Sequence, residues 1–252
     1  MSLLTETILK TLPGISSASR VTEYTLPVTV LRLPYANNHQ ATATAKGRVK
    51  VELNGQILNV EAAARKVFEV LGYEVVRGED VHLASMVLAG KFMSKQDSQV
   101  FKNWAHLHGY QNKQLDDLLV EADRLLQRFL SGQKDTLREL LDTLRNRWDA
   151  YYDPVESKKR DLRVFCEFLE DYPSIADSWI RWYASLPYAP GGAPDLFLRK
   201  QQISAWMWVE VKSLGDNLQR AQWEWIEGFL TQVGGAVRVL RIIPRRNYRF
   251  QR

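Results

Sequence analysis

The chain has 252 residues, enough for one large core or two small ones, with 45% hydrophobic residues and a single cysteine. Cys166 alone rules out an intrachain disulfide and a cysteine-rich zinc site, so a reducing, cytoplasmic setting is the default expectation. The net charge of +5 favours an anionic partner, while the lack of a long apolar run, or of a signal-peptide pattern over Met1 to Gly14, argues against a membrane span or secretion.

Residues 3 to 11 predict a short helix ending at Leu12-Pro13-Gly14. The β-prone run from 22 to 34 is interrupted by Pro27, which suits an edge strand. A loop over 35 to 46 leads to alternation from Arg48 to Leu53, and Asn54-Gly55 predicts a hairpin into Gln56-Ile57-Leu58. Asn59 then reads as the N-cap of a helix with Val60, Ala63, Ala64, Val67 and Leu71 on its apolar stripe. Gly72 stands where a left-handed residue ends that helix, and Tyr73 to Val76 predict a strand.

From 80 to 187 helical periodicity dominates. Leucines and Phe129 recur on one face over 113–131, Leu137 to Trp148 repeat the pattern, Leu162 to Leu169 mark another helix ended by Pro173, and 174–186 a further one. Such stripes signify helix-to-helix core. His106 and His108 read as a chance pair, since the four histidines show no metal-ligand spacing.

Beyond Pro190-Gly191-Gly192-Ala193-Pro194 the polar residues acquire a pattern. Asp195 opens a short β-prone run, and fourteen residues separate it from Glu210, about what two neighbouring strands and their connection require. Within Trp206 to Lys212, alternation places Trp206, Trp208, Glu210 and Lys212 on one face and Met207, Val209 and Val211 on the other. Asp216 with Gln219 reads as a capping box, and Leu218, Gln222, Trp225 and Phe229 follow at helical spacing, so Gln222 is a polar residue on a packing face and requires a partner. Taken singly, Pro-Asp is a common turn pair and Glu-x-Lys is often an exposed cross-strand pair; their joint spacing favours a site. Ala236 to Ile243 predict a last strand stopped by Pro244, with Val237, Val239 and Arg241 facing one way and Arg238, Leu240 and Ile242 the other. Arg238, Arg241, Arg245, Arg246, Arg249 and Arg252 crowd this end, interleaved with Tyr248 and Phe250, a pattern suited to phosphate contact and base stacking and equally to a solvated basic end.

Pro194-Asp195 with Glu210-Val211-Lys212 resembles the motif of the PD-(D/E)xK nucleases. GAPDL, VEVKSLGDNLQRAQ and GGAVRVLRI are similar to the VRR-NUC branch, departing at Ser213, where that branch has Gly. The run VEAAARKVFEVLGYEVVRGED resembles the opening of the Fanconi-associated nuclease module, with Arg77-Gly78-Glu79-Asp80 in place of its HGEG.

This resemblance implies an α/β restriction-endonuclease-like core, a mixed sheet flanked by helices, with a large helical insertion at about 80–187 inside a nuclease domain of 58–252, after a β-rich extension of 1–57. It implies a deoxyribonuclease dependent on Mg2+ or Mn2+, acting on DNA with 5′ flaps or other branches in repair or recombination. Asp195, Glu210, the Val211 carbonyl and Glu61 would hold the metal, Lys212 would serve the attacking water and the phosphate, and Gln222 would position water or backbone. A dimeric four-way-junction resolvase and an inactive DNA-binding module are the alternatives, and both monomer and homodimer stay open.

Overall fold

The computed structural model describes residues 10–12, 26–34, 49–90, 112–133, 136–151, 156–186 and 191–244. Its strands are β1 (Lys10–Leu12), β2 (Val28–Leu33), β3 (Lys50–Leu53), β4 (Gln56–Asn59), β5 (Glu74–Arg77), β6 (Leu196–Lys200), β7 (Ala205–Lys212) and β8 (Val237–Pro244). Its helices are α1 (Val60–Val70), α2 (Gly78–Leu88), α3 (Asn112–Leu130), α4 (Thr136–Tyr151), α5 (Glu156–Asp171), α6 (Pro173–Ser185) and α7 (Arg220–Gln232). Six strands form one mixed sheet in the order β1-β2-β8-β7-β6-β5, and β3 with β4 forms a separate hairpin. No described helix is long and apolar enough to cross a membrane.

The local signals act as their chemistry dictates. Asn59 Oδ1 accepts the Ala62 N–H at 2.7 Å, capping α1, and Gly72 takes φ +80° just beyond that helix. Two expectations are overturned. Lys10 and Thr11, assigned to a helix over 3–11, belong to β1, antiparallel to β2; a short helix has a costly nucleus, whereas a strand gains ladder bonds at once. The strand β2 is not at an edge, because it lies between β1 and β8. Pro27 is tolerated because it precedes the strand, where its missing N–H breaks no ladder bond and its carbonyl accepts the Val239 N–H at 3.0 Å.

The chain divides into two compact units, the first comprising Met1–Val75, Pro194–Trp223 and Ala236–Arg252, the second Val76–Ala193 and Glu224–Gly235. In the first, Val67 and Phe68 of α1 pack with Leu31 of β2, Leu196 and Leu198 of β6, Val209 and Val211 of β7, and Leu240 and Ile242 of β8. This core uses one face of the sheet, so alternation sends the intervening residues to the other face.

The second unit has an aromatic core. Trp225 stacks on Phe229 at 5.2 Å and meets Trp182 edge-on at 5.3 Å. Polar tips are satisfied inside it: Trp225 Nε1 donates to Tyr183 Oη at 2.9 Å and Trp179 Nε1 to Ser85 Oγ at 2.9 Å. Burial holds the His82 imidazole down at about 4, so it is neutral at ordinary pH. At the junction of β5 and α2, Arg77 Nη2 lies 2.6 Å from Asp80 Oδ2, and burial nevertheless pushes Asp80 up to about 6.

Gly228 marks the tightest point of this packing, since a Cβ there would lie 2.9 Å from Trp182 Cζ2 and 3.2 Å from its Nε1. Alanine would gain about 1 kcal/mol of helix propensity, yet Trp182 is wedged among Tyr183, Trp225 and Phe229 and cannot yield. Gly228→Ala is expected to lower stability by a net ~1 kcal/mol, read as an earlier urea midpoint; a later midpoint would show that the indole moves freely.

Candidate active site

The register of three strands assembles the site. The strands β6 and β7 run antiparallel with Leu196 opposite Val209, so Asp195, one residue earlier, comes level with Glu210. The strand β8 runs parallel to β7, with Val239 beside Glu210 and Arg241 beside Lys212. Because Leu196, Val209, Val211, Leu240 and Ile242 point into the core, Asp195, Glu210, Lys212 and Arg241 share the opposite face. Phe197 and Trp208, both fully buried, lie on that face with ring centres 5.4 Å apart.

The side chains converge on Glu210, which is 1% exposed. Lys212 Nζ lies 2.7 Å from Glu210 Oε1 and donates to Gln222 Oε1 at 2.9 Å. Gln222 Nε2 donates to the same Glu210 oxygen at 2.5 Å, and Gln222 Oε1 also accepts the Gln219 N–H at 2.9 Å. These contacts determine which way round the amide sits. Asp195 Oδ2 accepts the Val211 N–H at 2.7 Å.

The helix α7 begins three residues later than the capping-box reading implies. With Arg220 as the first helical residue, Gln219 is the N-cap and Gln222 the third position, whose side chain reaches back to the cap N–H. Asp216 closes a turn instead, accepting from the Ser213 N–H at 3.2 Å and from the Ser213 hydroxyl. Gln222 thus caps its helix and bridges the acid and the amine, a partnering that its position on a packing face required.

Burial and the neighbouring Glu210 charge push Asp195 up to about 7, against the pull of the Val211 N–H and Lys212. Burial also raises Glu210, opposed by Lys212 and Gln222. The two carboxyls titrate as a pair. Glu210 Oε2 is buried without a hydrogen-bond partner among the described residues. Two oxygen ligands on one face, one with an unsatisfied buried oxygen, fit a hard divalent cation of the Mg2+ type, which takes one or two carboxylates and keeps its remaining positions for water or phosphate.

The structure therefore brings together Asp195, Glu210, Val211, Lys212 and Gln222. Glu61 lies exposed in the first turn of α1, and among the described residues there is no group of three His, Cys, Asp or Glu suited to hold an ion. Arg238 faces the other side of the sheet and donates to Thr29 Oγ1 at 2.9 Å. Arg241 lies on the site face, donating Nη1 to the Ser213 carbonyl at 3.3 Å, with its buried Nε left without a partner among the described residues. Arg245, Arg246, Arg249 and Arg252 lie outside the described residues. Sequence reading placed Arg241 in a basic stretch but missed its position beside Lys212, because strand alternation gives a face and not an inter-strand register.

The acidic pair makes a prediction about stability. Asp195 has an ordinary value of 3.8 and a folded value of about 7, so the folded state holds a proton that the unfolded chain releases, and that contribution is lost as pH rises through about 7. Asparagine is neutral throughout and still accepts from Val211. In EDTA, the thermal midpoint of Asp195→Asn is expected to gain on that of the parent between pH 5 and pH 8; a constant difference would mean that the carboxyl ionises freely.

Residues 169–242 match the family model described as the VRR-NUC domain. A solved structure, described as paFAN1 bound to a 2-nucleotide 5′-flap DNA with a gap, is similar at 18% identity and a TM-score of 0.50. The match covers 90% of this chain and 39% of that one, so this chain spans about two-fifths of its length. Among curated proteins, none matches. The chain has a mixed sheet flanked by helices, of restriction-endonuclease-like architecture, in which residues 169–242 are similar to the VRR-NUC domain.

Proposed function

We propose that the protein is a structure-specific DNA nuclease dependent on Mg2+ or Mn2+, hydrolysing phosphodiester bonds at 5′ flaps or other branches. The observation that carries this reading is the desolvated Asp195–Glu210 pair, with its unsatisfied Oε2, beside a lysine held at 2.7 Å. The likeness to a protein solved with flap DNA supports the choice of substrate. In this reading 58–252 form the nuclease domain, the helices of about 80–187 its insertion, and 1–57 an extension whose strand β2 joins the sheet.

Asp195 and Glu210 would hold the ion, with the Val211 carbonyl and Glu61 included on resemblance. When bound, the ion offsets charge on the scissile phosphate and helps to orient the attacking water. Lys212 carries three N–H donors, two of them directed at Glu210 and Gln222. The third is left for a phosphate oxygen or the attacking water. Gln222 helps to orient the amine by accepting a hydrogen bond from it. Trp208 and Phe197 exclude water from the buried side, which strengthens each of these electrostatic contacts. The basic end, including Arg245, Arg246 and Arg249, contacts backbone phosphates.

Labelled single-stranded, duplex, 5′-flap, 3′-flap and four-way-junction DNA is the deciding panel, with Mn2+, Mg2+ or EDTA. The parent is expected to cut a branched member only with metal. Glu210→Ala is expected to lose at least about 10²-fold in rate, the scale set by removing one preorganised group. Tight binding without cutting would favour the inactive module, whereas junction cutting by a species of doubled solution mass would favour the resolvase. Replacing Arg245, Arg246 and Arg249 is expected to weaken binding to all sequences alike and to reduce the salt slope by about 0.9 per lost phosphate contact; an unchanged slope would remove the tail from the interface.

A further inference from the structure

Beyond Lys212 the chain leaves β7 through a turn over Ser213 to Asp216 and presents Leu214 with 51% of its surface exposed. Isolated exposed apolar residues are ordinary and need no explanation. This one stands on a fastened turn. Asp216 accepts from both the N–H and the hydroxyl of Ser213, and its own N–H donates back to the Ser213 carbonyl at 3.3 Å. Arg241 reaches the same carbonyl from β8 at 3.3 Å. Gly215 supplies the left-handed residue, at φ +86°, with nothing within 4 Å of where a Cβ would stand.

Leu214 is two residues from Lys212, so their Cα atoms are no more than about 7 Å apart. Lys212 and Arg241 supply cationic groups at this end of the sheet, while Leu214 offers only a methyl surface. The apolar parts of a nucleic acid are its base faces and sugar edges. An apolar side chain pressed against a base step unstacks it, at a cost of a few kcal/mol in continuous duplex. At a branch the stack is already interrupted and much of that cost disappears.

We propose that Leu214 is a specificity-determining residue, a wedge that packs against the base step next to the scissile phosphate and thereby favours cleavage where stacking is broken. This rests on the nuclease reading above. The rigidity of the turn matters because a mobile leucine would slide off the step and not part it.

The test places 2-aminopurine at the nucleotide beside the mapped cleavage position of a flap substrate. Its fluorescence is followed on binding in EDTA, and cleavage of flap, continuous duplex and single strand is compared with metal present. In the parent, fluorescence is expected to rise on binding. Leu214→Ala is expected to lose that rise and to lower the flap-to-single-strand cleavage ratio about tenfold, equivalent to about 1.4 kcal/mol. Leu214→Phe restores both, and Ile57→Ala, which removes a comparably exposed residue from the β3–β4 hairpin, changes neither. An unchanged ratio and an unchanged fluorescence rise in Leu214→Ala would overturn the wedge while leaving the nuclease intact. A parent that cuts nothing with either metal would instead overturn the nuclease reading, and the wedge with it.

Discussion

A buried carboxylate is the constraint on which the site depends. Taking Glu210 out of water carries a penalty of several kcal/mol unless opposite charge and hydrogen bonds replace its hydration. Lys212 supplies the charge and Gln222 a hydrogen bond, both to the same oxygen. The other oxygen is left unsatisfied among the described residues. The protein alone therefore only half-solves the solvation of Glu210, an arrangement that a hard cation would complete.

This arrangement determines what the neighbouring elements must do. The antiparallel register of β6 and β7 brings Asp195 level with Glu210, and the Val211 N–H anchors its carboxyl. The start of α7 is set by the same demand. If the helix began after Asp216, Gln222 would lie in its second turn, too far in to reach the cap N–H. Starting at Arg220, it brings the Gln222 amide to the cap and to both charged groups. Asp216, released from capping, locks the turn that follows Lys212. One glutamine thus couples secondary-structure initiation to site geometry, so a change there acts on both.

The second unit illustrates a different economy. Its Trp225 and Trp179 bury large apolar bodies while donating to Tyr183 and to Ser85, so the bulk of these two rings enters the core without orphaning their N–H groups. His82 is kept neutral by burial. Its helices follow the stripes of the sequence because leucine periodicity and helix-to-helix packing share one geometry.

Local features were legible in the residues alone. Asn59 as a cap, Gly72 as a left-handed stop, the alternation through Glu210 and Lys212, and the helical stripes of 113–186 act within a few residues, where side-chain period and backbone sterics suffice. Motif wording likewise singled out Asp195, Glu210, Lys212 and Gln222, and the structure gathers all four. Which strands are neighbours follows from long-range packing. It placed β2 inside the sheet and not at its edge, drew Lys10 and Thr11 into a strand, and set Arg241 beside Lys212. It also moved the helix start to Arg220. Alternation states which face a residue occupies but not what lies opposite, and the position of a cap depends on where its partners stand. Those distances arise only when segments far apart in the chain bury a common core.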